Sequence, residues 1–120
     1  MKRDMDLIRK IILAARDTDG YLQGLPGVDQ KTFGHHVAWI AEAGLAHCQV
    51  QWGGDGPVST PILAFVERLT WAGHDFADSI KDETIWSKAT EMVIKPTASF
   101  TFDILKDVIS NLIRSSIPGL

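Results

Sequence analysis

FGHHVAWIAEAGLAHCQVQ, residues 33–51, reads as one amphipathic helix, a glycine stop and then a strand. At about 100° per residue, Val37, Ile40, Ala41 and Gly44 fall within roughly 80° of Phe33 on one face. Gly44 stands where this helix must end, because glycine takes the left-handed conformation without a Cβ clash. Leu45 follows as an apolar anchor, and the alternation from there to Trp52 is strand-like. The order matches the second half of a helix-turn-helix unit running into a β-wing.

Outward from that stretch, Gly53-Gly54-Asp55-Gly56-Pro57 makes a turn cheap only for glycine-rich sequence. Ile62–Leu69 returns as the partner strand, with Pro57 and Pro61 limiting pairing near the tip. Upstream, Asp29 is placed to cap the central helix. Thr18–Gly27, TDGYLQGLPG, is too punctuated for a helix, and Tyr21–Leu25 fits a short strand pairing with the wing. Asp4–Asp17 is a first helix with Met5, Ile8, Ile12 and Ala15 on a stripe and Leu7 and Ile11 beside it. Asp4 and Asp6 lie at its N-terminal end, where the helix dipole favours negative charge.

Downstream, Thr70 is placed to cap the helix TWAGHDFADSI. The apolar set Ile85, Trp86, Ala89 and Val93 is out of phase with Phe76 and Ile80, so the chain splits into two helices near Asp82. Lys95-Pro96-Thr97 breaks the chain again. Thr101 caps a last helix, with Phe100 and Leu105 placed for a hydrophobic staple. Its broad stripe of Ile104, Leu105, Val108, Ile109, Leu112 and Ile113 must pack on the domain or on a second copy, so a homodimer through the C-terminal helices is one expectation. The fold class expected is α+β and mainly helical. It is a winged helix-turn-helix domain with extra C-terminal helices: one domain over 1–120, with the winged-helix core in 1–70 and the helices in 71–120.

The chain has 120 residues, 45% of them hydrophobic and 22% charged, enough for a packed core and against disorder. Twelve Lys and Arg stand against fifteen Asp and Glu, a net charge of −3, which argues against a general nucleic-acid scavenger but leaves room for a local basic face. A single cysteine, Cys48, cannot close an internal disulfide. There is no apolar run long enough for a membrane span and no signal-peptide core in MKRDMDLIRK, so a cytoplasmic protein is expected.

His36-Val37-Ala38-Trp39-Ile40-Ala41-Glu42-Ala43-Gly44-Leu45 resembles the recognition helix and exit of arsenic-repressor-type winged-helix regulators. Arg68-Leu69-Thr70-Trp71-Ala72-Gly73-His74 resembles the exit from the last strand in many winged-helix proteins. Nearly the whole chain is also similar to a family of small bacterial and phage proteins. Its members tend to open as Met1–Arg9 does, and to carry the patterns seen here at Ala43–Leu45, Leu69–Phe76 and Asp82–Trp86. This resemblance implies a winged-helix-like domain in a prophage or mobile-element setting, and it carries over no site residues.

Two functions stand on these residues. In the first, a small non-enzymatic regulator binds duplex DNA. The outward side of the central helix offers Gln30, Lys31, Thr32, His35, Glu42 and, at its border, His36. Gln and Thr read base edges and Lys meets phosphate or guanine, while Arg9 and Lys10 of the first helix add phosphate contacts, beside Lys2, Arg3 and Arg16. Yet Asp29–Ala43 holds one Lys and no Arg. In the second, the same scaffold binds a host protein through Trp39, which lies about 240° from Phe33, and through Trp52 beside the wing. Trp71 and Trp86 are assigned to packing. No metal site is expected, because His35, His36, His47 and Cys48 do not converge. No catalytic residue or cofactor is expected either. His74 and Asp75 are consecutive and do not face each other on a helix, Cys48 lacks a nucleophile signature, and Gly53–Gly56 has no following Lys-Ser/Thr.

Overall fold

The computed structural model describes residues 1–54, 56, 59–94 and 101–119. Helices α1 (Met5–Asp17) and α2 (Gln30–Glu42) precede a hairpin of β1 (Ala46–Gly53) and β2 (Thr60–Leu69). Then come α3 (Trp71–Ile80), α4 (Glu83–Ala89), a π-helical turn (Thr90–Ile94) and α5 (Phe102–Ser116). The fold is α+β and mainly helical, and β1 and β2 form a two-stranded antiparallel sheet. The chain divides into two compact units, Met1–Ala77 and Asp78–Leu120. No helix among the described residues is long and apolar enough to cross a membrane.

Polar caps set most of the helix starts. Asp4 Oδ1 accepts from the N–H groups of Asp6 and Leu7, and Asp29 Oδ2 accepts from Thr32 N–H at 3.0 Å. Asp82 accepts from Ile85 N–H and Thr101 from Ile104 N–H, so the phase slip near Asp82 is a true break between two helices. Gly44 ends α2 at φ +76°. There Gly44 N–H donates to Ala41 C=O and Leu45 N–H to Ile40 C=O, a Schellman closure.

In the first unit α1 buries Met5, Leu7, Ile8, Ile11 and Ile12, and it packs on β2 and α2. α2 buries a wider arc than the stripe read from sequence. Phe33, Gly34, His36, Val37, Ala38 and Ile40 are all buried, whereas Ala41 is half-buried and Gly44 exposed. The hairpin is the reason: a Cβ on Gly34 would strike Pro61, so α2 lies close against β2 along that side. The short strand expected over Tyr21–Leu25 reduces to one bridge, Leu22 with Val66, bonded both ways at 3.0 and 2.9 Å. Pro26, which has no N–H, and the bend closed by Val28 N–H to Leu25 C=O turn the chain away.

In the second unit α4 packs on α5 and on the π-helical turn. Trp86, Ala89, Val93, Leu105 and Ile109 are buried, so Trp86 packs as expected, while Ile104 stays 50% exposed. Trp71 does not pack: it is 86% exposed. It opens α3 about 180° around the helix from the buried Ile80, so its indole leaves on the solvent side. Asp55, Pro57 and Val58 of the expected wing tip, the Lys95-Pro96-Thr97 break and Phe100 of the expected staple lie outside the described residues.

One junction joins α2, β1, β2 and α3. Thr70 N–H donates to Leu45 C=O at 2.9 Å. Thr70 Oγ1 donates to Gly44 C=O at 2.7 Å and accepts from Gly73 N–H at 3.0 Å. A Cβ on Gly73 would overlap the Leu45 carbonyl. Alanine is the better helix former by about 1 kcal/mol, yet Gly73→Ala is expected to lower the melting midpoint by roughly 10 °C through overpacking. Thr70→Val is expected to cost about 1–2 kcal/mol, and Thr70→Ser, which keeps both hydroxyl bonds, less than half of that. Thermal melts followed by circular dichroism check both.

Candidate functional site

With so much of α2 buried, one stripe of it reaches solvent. Gln30, Lys31 and Glu42 are exposed; Thr32, His35 and Trp39 are half-buried. The stripe meets the hairpin through His35. Its ring lies 5.9 Å from Trp39 and 5.6 Å, edge-on, from Trp52 of β1. Trp52 is 46% exposed. The residues read as DNA contacts and those read as protein anchors therefore occupy one patch, with His35 bridging the two tryptophans. Of the other candidates, Lys10 is exposed and Arg9 half-buried on α1.

His36 is not an outward residue: it is 1% exposed. Asp4 N–H donates to its Nε2 at 2.9 Å, and its Nδ1 lies 2.8 Å from Thr32 C=O. A backbone N–H can only donate and a carbonyl can only accept, so the ring is neutral with its proton on Nδ1. Trp39 packs edge-on against it at 5.0 Å. The adjacent histidines thus divide the work. His36 anchors the start of α1, and His35, about 100° further round the helix, stays on the surface.

The anchor at Asp4 also brings the amino terminus to the stripe. Partial burial pushes His35 below its ordinary value of 6.5, and the charges of Lys31 and the Met1 ammonium push it the same way. Sequence reading placed the basic residues of the N-terminus with α1 and missed this proximity. The only local signal was a histidine on the border of an otherwise apolar face, and its donor lies 32 residues away.

Other chemistry finds little support. Burial, and then the Glu67 carboxylate, push the Cys48 thiol up to about 11, leaving it protonated at neutral pH. Among the described residues no three His, Cys, Asp or Glu side chains gather as metal ligands. His74 and Asp75 are both exposed and consecutive on α3.

Residues 2–99 match the family described as "Hypothetical protein (DUF2513)". An uncharacterized protein of Haemophilus influenzae (strain ATCC 51907 / DSM 11121 / KW20 / Rd) is 28% identical over 122 residues, covering 98% of this chain and 99% of its own length. No solved structure matches the chain.

His36→Ala is expected to cost about 2–3 kcal/mol, from a cavity plus an orphaned Asp4 N–H. His36→Gln, whose amide oxygen reaches the position of Nε2, is expected to lose less; chemical denaturation separates the two. For His35 the sign is also fixed. A folded-state value lowered below 6.5 means that the stability the neutral ring contributes is whole above 6.5 and lost as pH falls through the lowered value. A ring-proton NMR titration is expected to place the His35 midpoint below 6.5, and Lys31→Ala to move it upward without reaching 6.5, since burial is the larger cause.

Proposed function

The chain belongs to the DUF2513 family, and on that premise we propose that it is a small non-enzymatic regulator, of phage or mobile-element type, that binds duplex DNA in the cytoplasm. The first unit then acts as a winged-helix-like domain, with α2 as the reading helix and the β1–β2 hairpin as its wing. The observation that carries this reading is the α2 stripe. Its N-terminal end presents Gln30, Lys31 and Thr32. In helix-turn-helix recognition the N-terminal side chains of the reading helix meet base edges, and phosphate contacts fix the register. Lys31 supplies a cation where that register is set, and Arg9 and Lys10 extend the set on α1.

A second reading is a protein-binding module on the same scaffold, such as an inhibitor of a host protein. The half-buried Trp39 and the exposed Trp52, bridged by His35, favour it. Partly covered tryptophans at the centre of a patch are frequent binding anchors.

Fluorescence anisotropy with a labelled duplex tests the first reading. Binding tighter than about 10⁻⁴ M at low salt is expected, and weaker binding rejects it. Lys31→Ala is expected to weaken binding to all sequences alike and to lower the salt slope by about one. If DNA binding is absent and a host protein is captured by the wild type but not by Trp52→Ala, the second reading replaces it.

A further inference from the structure

The open edge of β1 supports an inference independent of both readings. β2 has β1 on one side and the Leu22 bridge on the other, so β1 is an edge strand. Among the described residues no strand pairs with its outer edge. β1 reads AHCQVQWG and contains no Lys, Arg, Asp, Glu or Pro. Proteins blunt exposed edges with charges, prolines and bulges. The hairpin does have two register shifts, between His47/Cys48 and between Gln51/Trp52. At both, the extra residue, Glu67 or Ile62, falls on β2, so β1 itself remains a regular strand. Burial falls across the sheet in the same direction. Ala64 and Val66 of β2 are 0% and 1% exposed, whereas Cys48 and Val50 opposite them are only half-buried.

We propose that β1 is a self-association edge: β1 of a second copy pairs with it antiparallel, about a two-fold axis perpendicular to the sheet, to make a four-stranded sheet. The chemistry of the strand selects this occupant. An edge without charged side chains meets its own copy without repulsion and has nothing with which to hold a strongly charged segment. The two-fold axis puts Cys48, Val50 and Trp52 of both copies on one side, where each strand covers the half-buried apolar groups of the other. It puts Gln49 and Gln51 on the other side, where amides both donate and accept. Such an interface is isologous and closes at two copies. Both α2 stripes then lie on the same side of the extended sheet.

Sedimentation of the full chain at tens to hundreds of micromolar tests the proposal, with a dimer expected. His47→Glu/Gln51→Glu alters two exposed side chains and, in a register centred on Gln49, sets like charges opposite each other twice. It is expected to weaken the dimer by about tenfold or more, while Ile104→Glu on α5 leaves the dimer intact. Isotope-filtered NOEs between the β1 strands of the two copies are expected in the wild type, which keeps the test valid should the double variant fold poorly. A wild type that stays monomeric overturns the proposal. So does a dimer that lacks those NOEs, or one that Ile104→Glu dissolves and the double variant does not. DNA affinity enters none of these outcomes, so this proposal and the DNA reading fail separately.

Discussion

The hydroxyl of Thr70 is the point on which the first unit turns. It donates to the Gly44 carbonyl just beyond the end of α2, and it caps the first turn of α3 by accepting from Gly73 N–H. Its own backbone N–H reaches Leu45 at the entrance of β1. Four chain segments meet there within a few ångströms, so no Cβ fits at Gly73. Two stretches of sequence that look like separate signals, Ala43-Gly44-Leu45 and Leu69-Thr70-Trp71-Ala72-Gly73, are the two halves of one junction. Because the junction fixes how α2 leaves into the hairpin, it also fixes where Trp52 stands relative to His35.

The position of α2 imposes a constraint on any function. A helix buried over most of its circumference is rigid and well placed, but it has little surface left for a partner. Gly34 lets β2 approach, and His36 holds the cap of α1 with both ring nitrogens bonded. What remains is one stripe from Lys31 to Glu42 with Trp52 alongside. The stripe carries Lys31 at its start and aromatic rings along its middle. Its surroundings push His35 below its ordinary value, which favours the ring as an uncharged contact surface.

The second unit follows a similar logic. The α5 stripe is too broad for an exposed helix, and α4 with the π-helical turn covers part of it, burying Leu105 and Ile109. Asp82 makes the preceding phase change possible by ending one helical run and capping the next. Each unit thus buries its apolar faces on elements that the sequence period already separates.

By itself, the sequence determined the local events. The caps at Asp29, Thr70 and Thr101, the left-handed stop at Gly44, the hairpin and the break near Asp82 were all legible, whereas the capping roles of Asp4 and Asp82 came from the structure. Each depends on residues within one turn or on a simple repeat of apolar positions. Tertiary structure alone decided the rest. Periodicity put His36 at the border of a face, and only a backbone N–H from the far end of α1 makes it a buried anchor. Periodicity also put Trp39 and Trp52 on different elements and assigned Trp71 to packing. The hairpin register brings the first two to His35, and the start of α3 turns the third into solvent. These outcomes depend on contacts between residues distant in the chain, and helical and strand periods contain no information about which distant group will arrive.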